Sequence, residues 1–326
     1  MELRFGAALN RALVDAMELD SSVIVMGEDI AAAGGSFGVT RGLLDRYGPE
    51  RVLDSPISEA ALVGMAVGAA MTGLKPVVEI MFMDFVTLAM DALVNQAAKA
   101  HFMFGGQCSV PLVLRTPHGG GLSAGPQHSQ CLEAWFAHVP GLKVVCPSTA
   151  HSAYGLLRSS ISDPDPVIFI EHKALYARKE ELSGDLRPIA LGRAATRRDG
   201  RDATIVSYGA AVALSLDAAE RLARDGLSIE VIDLQTLQPW DEEAVLASLA
   251  RTHRLVVVHE AVEAFGIGAE VAARMADAGF EQLHGPIVRV GAAYTPVPFA
   301  AALEQAYRPS VEQIMAAVRR TLKQRS

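Results

Sequence analysis

Apolar residues recur in two alternating patterns along the chain and predict parallel β-sheets flanked by helices. Apolar positions at helical spacing cover Phe5 to Leu19, and the short apolar run from Ser22 to Met26 predicts a buried strand. Further strands are predicted at 51–54, 75–80, 111–115, 143–146 and 166–170, and further helices begin near 59, 87 and 148. Strands that alternate with helices are typical of a doubly wound α/β fold.

The alternation is interrupted between residues 178 and 190. The charge run Arg178–Glu181 lies there, followed by Gly184 and Pro188. Afterwards strands are predicted at 203–207, 228–232, 255–258 and 287–290, with helices between them. We therefore expect two doubly wound α/β domains, a larger one over 1–177 and a smaller one over 191–326, joined by a linker at 178–190.

Composition narrows the class of protein. Half of the 326 residues are apolar and one fifth are charged, as in globular proteins. The net charge of -8, with no Lys/Arg cluster, argues against a nucleic-acid surface. The most apolar segment, 60–70, is shorter than the roughly 20 residues that span a bilayer, and the start of the chain lacks the apolar stretch of a secretory signal. Cys108, Cys131 and Cys146 form no CxxC pair, so we expect a reduced, cytoplasmic protein.

The segment Asp54–Glu59 precedes an almost wholly apolar helix. Pro56 keeps the chain extended, and Ser58 can cap the helix. Glu59 then lies in the first turn, where a carboxylate stabilises the helix dipole, and spacing alone favours that interpretation. The alternative is a partly buried acid/base group, since apolar neighbours disfavour its charge.

The same helix carries Gly64, Gly68 and Thr72 on one face. Small residues four apart allow a close approach of another backbone. A contact with another subunit and tight packing inside one domain are equally compatible with this spacing.

A glycine-rich segment, 119–130, follows the predicted strand that ends at Arg115. It belongs at the carboxyl edge of a parallel sheet, where ligands usually bind. His128 in this segment is a candidate proton donor, although a lone loop histidine is more often only a solvated polar residue. The chain contains neither GxxxxGK[ST] nor a GxGxxG between a strand and a helix, so it lacks these phosphate-binding motifs.

Many short segments, taken in order, resemble the β subunit of the thiamine diphosphate-dependent, decarboxylating component of 2-oxo acid dehydrogenase complexes. The resemblance covers nearly the whole chain and is closest to the acetoin dehydrogenase branch. It implies a transketolase-like pyrimidine-binding domain and a transketolase-like carboxyl-terminal domain. The segments that carry it include 27–29, 41–43, 51–59, 67–70, 98–99, 127–130, 140–145, 231–234 and 295–299, and the hints of the acetoin branch are 79–85, 103–106, 146–148 and 171–176.

The resemblance implies roles for single residues. A glutamate at the position of Glu59 hydrogen-bonds the aminopyrimidine ring of thiamine diphosphate and thereby promotes loss of the thiazolium C2 proton. Phe85 matches the aromatic residue that packs on this ring, and Ile57 matches the residue whose carbonyl faces it. Glu28 is a weaker match, acting behind the residues that touch the cofactor. His128 matches a histidine that donates a proton while the acyl or hydroxyalkyl group moves to a lipoyl dithiolane.

Metals and partners are also implied. Some relatives hold a structural potassium ion, largely through carbonyl groups, at the positions of Leu112, Ser160, Ile161, Asp163 and Asp165. The GDG motif with a later asparagine, which binds magnesium and the diphosphate across the superfamily, does not occur in this chain. The resemblance therefore implies a separate α subunit that holds Mg²⁺, an α2β2 heterotetramer, and a lipoyl-bearing acyltransferase that docks on the carboxyl-terminal domain.

The expected substrate is acetoin or a 2-oxo acid, either pyruvate-like or branched-chain, and the chain alone is expected to be inactive. His118 matches no family pattern. Two other functions stay open from the sequence. One is a separately encoded carboxyl-terminal half of a transketolase, which would transfer ketol groups without lipoate. The other is a non-catalytic assembly subunit, against which Glu59, Phe85 and His128 argue.

Overall fold

The computed structural model describes residues 2–181 and 186–323, so Gly184 of the predicted linker lies outside the described residues. The α-helices are α1 (Phe5–Leu19), α2 (Leu43–Tyr47), α3 (Glu59–Met71), α4 (Met83–Val86), α5 (Ala98–Met103), α6 (Glu133–Ala137), α7 (Ala150–Ser162), α8 (Ala211–Arg224), α9 (Glu242–Thr252), α10 (Ile267–Ala278), α11 (Ala301–Tyr307) and α12 (Val311–Leu322). The strands are β1 (Glu2–Arg4), β2 (Val23–Gly27), β3 (Val52–Asp54), β4 (Lys75–Glu79), β5 (Val113–His118), β6 (Lys143–Val145), β7 (Val167–His172), β8 (Lys179–Glu181), β9 (Ala195–Arg198), β10 (Ala203–Ser207), β11 (Ile229–Asp233), β12 (Thr236–Gln238), β13 (Leu255–Val262) and β14 (Val288–Ala292).

The first domain is built on a seven-stranded sheet with the order β12-β6-β7-β5-β4-β2-β3. Every pair in it is parallel except β12 with β6. Its strands are nearly continuous apolar runs because helices cover both faces. Helices α1 and α7 pack on one face, and α3 packs on the other. The predicted doubly wound domain is confirmed.

The second domain contains a five-stranded sheet with the order β14-β13-β10-β11-β9, in which β9 alone runs antiparallel to its neighbour. Helices α8 and α12 cover one face. The apolar residues of the other face, including Val271 and Met275 of α10, belong to the same core as Phe136 and Leu142 of the first domain. The two domains are therefore joined by a shared apolar core as well as by the chain.

Part of the predicted linker forms a β-strand. The charge run at Lys179–Glu181 forms β8, which pairs antiparallel with β1 at the start of the chain. Strand β12, from the second half of the sequence, extends the first domain's sheet. Charged edge strands lack an apolar periodicity, which is why the sequence pattern predicted only a break at β8.

Two local predictions are wrong in detail. Ser58 stands at the N-cap of α3, but its side chain makes no capping hydrogen bond. The helical run predicted from Thr87 is instead a 3-10 turn (Thr87–Ala89), a π-helix (Asp91–Ala97) and then α5. The three cysteines are free, as expected. Among the described residues, no helix is long and apolar enough to cross a membrane.

Candidate functional site

The carboxyl edge of the first sheet brings the predicted site segments together. Strands β5, β4, β2 and β3 are neighbours in that order, and Gly27 at the end of β2 pairs with both Glu79 of β4 and Asp54 of β3. Glu28 follows β2, and Glu59 begins α3 shortly after β3. Ligands of open α/β sheets bind at this edge, where loops from neighbouring strands converge.

Glu28 and Glu59 form a buried carboxylate pair. Each side chain is only 6% exposed. The main-chain N–H of Ser58 donates to Oε1 of Glu28 at 3.1 Å. Burial, with the negative charge of Glu59 added to it, raises the pKa of Glu28 against the lowering effect of that hydrogen bond. Among the described residues none forms a hydrogen bond or ion pair with the Glu59 carboxylate, which is therefore available to a ligand.

Phe85 and His128 lie against each other, with Phe82 as a third ring. The His128 imidazole is 5.4 Å from the Phe85 ring and 5.0 Å from the Phe82 ring, centroid to centroid, and both contacts are edge-to-face. Phe82 and Phe85 are 5.9 Å apart in the same geometry. Among the described residues no group hydrogen-bonds the nitrogens of the His128 ring, which leaves them free for a ligand. The sequence identified Phe85 and His128 but missed Phe82, which stands three residues before Phe85.

The main chain around His128 is fixed by two buried charges. The Lys173 ammonium donates to the His128 carbonyl and lies 3.4 Å from the Ser129 hydroxyl. The main-chain N–H of Gln130 donates to the Asp84 carboxylate at 3.4 Å, and its side-chain amide donates to the same oxygen at 2.7 Å. Burial lowers the pKa of Lys173. The only trace of this role in the sequence is the position of Lys173 directly after the apolar strand β7, since lysines are seldom buried without a partner.

Ile57 stands apart from these buried groups. Its side chain is 81% exposed, in the extended segment before α3. Only its carbonyl was predicted to face the cofactor, and an exposed side chain is compatible with that. The structure therefore brings together Glu28 with Glu59 and Phe85 with His128, and it leaves Ile57 at the open side of the same edge.

A buried ion triad lies behind this edge. Arg115 of β5 donates to Glu171 at 2.7 and 2.8 Å and to Glu79 of β4 at 2.7 Å. The Tyr176 hydroxyl also donates to Glu171, at 2.6 Å. Strands β4 and β7 flank β5, so the triad ties the middle of β5 to the carboxyl ends of both neighbours. No local pattern predicts the triad, because its three partners are far apart along the chain.

His118, which matched no family pattern, ends β5 in a second buried cluster between the domains. Burial lowers the pKa of His118 to about 3 and raises the pKa of Glu133, which also accepts a hydrogen bond from Tyr208 at 2.8 Å. His118, Cys131 and Glu133 each place one possible ligand atom within 4.8 Å of the others. No motif in the sequence marks this trio, because His118 is distant along the chain from Cys131 and Glu133 and the three come together only through the fold.

The residues predicted to hold potassium meet at the opposite, amino edge of the sheet. The Leu112 carbonyl accepts from the Val167 N–H, and the Ser160 carbonyl accepts from the Asp163 N–H. The Lys143 ammonium lies 2.7 Å from Asp163 and 3.0 Å from Asp165. Because both carboxylates already pair with Lys143, we expect a potassium ion here to be held by main-chain oxygens, including that of Ile161.

The outer face of α3 is free. Gly64, Gly68 and Thr72 are exposed, and a Cβ added at either glycine would meet nothing within 4 Å. Met65 and Met71 on the same helix are also exposed. The interpretation that these small residues pack tightly within the domain is therefore wrong for the described residues, and the alternative of a subunit contact is the one that stands.

The first domain is doubly wound and carries an acidic and aromatic site at its carboxyl edge, and a second α/β domain packs against it. This arrangement is typical of transketolase-type α/β proteins. The family "Transketolase, pyrimidine binding domain" matches residues 1–179, and "Transketolase, C-terminal domain" matches residues 192–314. A solved structure, "Split gene transketolase, inactive beta4 tetramer", superimposes with a TM-score of 0.79 over 97% of this chain and 96% of that one, at 24% identity. At that identity the likeness shows the fold alone.

Relatives that match nearly the whole of this chain show more specifically which family it belongs to. The beta-2 subunit of the mitochondrial pyruvate dehydrogenase E1 component of Oryza sativa subsp. japonica is 44% identical, over 98% of this chain and 86% of the relative. The beta subunit of acetoin:2,6-dichlorophenolindophenol oxidoreductase of Cupriavidus necator is 46% identical, over 99% of this chain and 98% of the relative. The Bacillus subtilis subunit of the same name is 43% identical over 94% of both. The chain belongs to this family of dehydrogenase β subunits.

Proposed function

We propose that this chain is the β subunit of a thiamine diphosphate-dependent dehydrogenase component that cleaves a carbon–carbon bond of acetoin or a pyruvate-like 2-oxo acid. With an α subunit it would pass the acyl group to the lipoyl-lysine of an acyltransferase. The single observation that carries this proposal is the buried, unpartnered Glu59 carboxylate beside Glu28 at the start of α3. The family membership makes the two other functions, a transketolase half and a non-catalytic subunit, less favoured.

The residues fit the pyrimidine end of the cofactor. Glu59 offers a carboxylate without a protein partner among the described residues, and Glu28 beside it has a raised pKa. Such a pair can accept a hydrogen bond from a ring nitrogen and share a proton with it. Phe85 offers an aromatic face, and Ile57 offers a carbonyl. The bound cofactor supplies an electron sink at the carbonyl carbon of the substrate, which is chemistry that the side chains do not provide.

His128 is suited to proton donation during transfer. Its carbonyl is held by Lys173, and its ring lies between Phe82 and Phe85. The ring nitrogens therefore remain directed by packing rather than by hydrogen bonds within the described chain. An imidazole so placed can protonate the dithiolane sulfur as it leaves, which is the role proposed for His128.

An α subunit is required for the diphosphate. The chain has no GDG motif with a later asparagine, so Mg²⁺ and the diphosphate would be held by the partner in an α2β2 heterotetramer. The exposed face of Gly64 and Gly68 allows another backbone to approach α3 closely. Gly68→Arg should therefore prevent co-purification with the α subunit. Unchanged co-purification would remove this face from the proposed contact.

The test of the function uses the α and β chains expressed together. The purified pair should reduce 2,6-dichlorophenolindophenol with acetoin, pyruvate or a branched-chain 2-oxo acid, and only when thiamine diphosphate and Mg²⁺ are present. The preferred substrate in this panel identifies the branch of the family. If the pair binds the cofactor but turns over none of these substrates, while ketol transfer between sugar phosphates proceeds, the chain is half of a transketolase.

We also propose that the chain binds a structural potassium ion. It would be bound at the amino edge by main-chain oxygens of the last turn of α7, which includes Ser160 and Ile161, while the Asp163 and Asp165 carboxylates pair with Lys143. A bound ion should raise the melting temperature in potassium chloride above that in sodium chloride at equal ionic strength. Equal melting temperatures would exclude a site that selects potassium.

A further inference from the structure

We propose that Glu304, with Glu260, is a positioning residue: these two carboxylates of the carboxyl-terminal domain hold the glycine-rich segment 119–125 in place and thereby orient His128. Neither residue touches the carboxyl-edge site. The consequence for His128 rests on the function proposed above, whereas the hold on the segment is a property of the chain itself.

The carboxylates bind main-chain N–H groups of the segment. Oε1 of Glu304 accepts from Gly121 at 2.9 Å, and its Oε2 accepts from Ser123 at 3.0 Å. Oε1 of Glu260 accepts from Gly120 at 2.6 Å. Hydrogen bonds to an ionised acceptor are about twice as strong as neutral ones. Three N–H groups within four residues thus bond to carboxylate oxygens in place of the regular pairing that a loop backbone lacks.

Both carboxylates are buried, which raises the free-energy cost of losing their hydrogen bonds. Glu304 is 3% exposed and Glu260 is 6% exposed. Burial alone would raise the pKa of Glu260, but His172, 3.0 Å away, and Arg308, 2.8 Å away, outweigh it and hold that pKa well below its ordinary value. Glu260 is therefore ionised at neutral pH, and each carboxylate that accepts these N–H groups would be costly to leave unpaired in the interface.

Glycine is required at both ends of the segment, where the backbone lies close to His172 of the first domain and to Phe299 of the second. Gly119 and Gly125 have positive φ angles of 85° and 76°. A Cβ on Gly119 would lie 2.2 Å from Nε2 of His172, and one on Gly125 would lie 2.1 Å from the Phe299 ring of the second domain. The backbone at Gly125 is thus in direct contact with the carboxyl-terminal domain three residues before His128.

The far end of the segment is fixed separately. Lys173 binds the His128 carbonyl, and Asp84 binds Gln130. His128 therefore stands between two anchors, one made by the first domain and one made by the second. If the hydrogen bonds from Glu260 and Glu304 are lost, only the first-domain contacts still hold the main chain around His128. The orientation of its ring toward a bound substrate then becomes less defined while the fold persists.

Glu304→Gln tests the proposal because the amide keeps the volume but can accept with only one of its two polar atoms. The direct measurement is amide hydrogen exchange of the 119–125 segment in the α–β complex. We expect exchange at Gly121 and Ser123 to accelerate at least about fivefold. Glu312→Gln, an exposed carboxylate of α12, is the matched control and should leave the segment unchanged. Unaltered exchange in Glu304→Gln overturns the proposal.

Activity gives the second readout. Glu304→Gln should reduce transfer to lipoyl protein by about tenfold or more while it lowers reduction of an artificial acceptor much less, and it should change kcat rather than KM. Glu304→Asp keeps both acceptor oxygens and should recover part of the loss. If Glu304→Gln fails to fold, Glu260→Gln carries the exchange test at Gly120, where faster exchange supports the proposal and unaltered exchange overturns it. An equal loss in both assays, without recovery in Glu304→Asp, also contradicts positioning.

Failure of the function proposal is distinguishable. If His128→Ala loses both activities equally, the assigned role of His128 is wrong, yet accelerated exchange at Gly121 and Ser123 in Glu304→Gln would still establish the hold on the segment. If His128→Ala behaves as expected but exchange is unaltered in Glu304→Gln, the proposed function is supported and the positioning role of Glu304 is contradicted.

Discussion

Arg115 and Glu171 form a two-pronged ion pair inside the first sheet, with both hydrogen bonds at 2.7–2.8 Å. Each side chain is at most 1% exposed. Arg115 also binds Glu79, so one cation serves two buried carboxylates. Burial raises the pKa of Glu171, while Arg115 acts to lower it. The pair joins the middle of β5 to the carboxyl end of β7 beside the candidate site.

Replacing Arg115 by Met should destabilise the fold strongly. The variant leaves two carboxylates buried without their cation, and breaking a buried pair in this way costs about 3–5 kcal/mol. Urea denaturation should show this as a lower midpoint. Arg46→Met removes an exposed ion pair with Glu18 and serves as the control, with an expected loss below about 1 kcal/mol. Similar midpoints for the two variants would mean that the triad contributes little.

Glu59→Gln should lower activity without unfolding the protein. The amide cannot take the proton that the carboxylate shares with a ring nitrogen, so turnover of the α–β pair with an artificial acceptor should fall by about 10²-fold or more. Removing one of two adjacent carboxylates relieves repulsion with Glu28, so the melting temperature should not fall. Full activity in Glu59→Gln would show that the assigned role is wrong.

His128→Ala should separate the two half-reactions. The artificial acceptor requires no proton at a lipoyl sulfur, so that reaction should keep most of its rate, whereas transfer to lipoyl protein should fall by about 10²-fold. Both assays are run on the same purified α–β preparation. Phe82→Leu, which alters the packing of the imidazole but keeps the histidine, should have a smaller effect of the same kind. Equal losses in both assays would remove the proton-donor role.

His259 should contribute to loss of stability in acid. Burial lowers its pKa to about 4, so between about pH 6.5 and 4 the unfolded chain binds a proton that the folded chain does not. Stability from this group is therefore present above pH 6.5 and is lost as the pH falls, by about 2 kcal/mol at pH 5. His259→Asn should lose less stability than the parent between pH 7.5 and 5 in urea denaturation, whereas replacement of the exposed His138 should not change this difference. An identical pH dependence in His259→Asn contradicts the assignment.

The sequence predicted the helices and strands whose positions follow from a local apolar periodicity. Helix α1 begins and ends at the predicted residues, Phe5 and Leu19, because its apolar spacing is regular and flanked by polar residues. The pattern missed β8 because a charged strand paired at an edge has no buried face. It also missed the bonds from Glu304 to Gly121 and Ser123, which join residues more than 180 positions apart. Only the packing of two domains creates such contacts, so no local pattern reports them.

The pairing of β12 with β6 has a practical consequence for dissecting the chain. A fragment cut at the apparent domain boundary would keep Lys143–Val145 and lose the strand that covers it, so a bare apolar edge would be presented to other molecules. The fragment would also lose the residues from the second half that complete the shared apolar core. Such a piece is expected to aggregate, and the two halves are best treated as one inseparable folding unit.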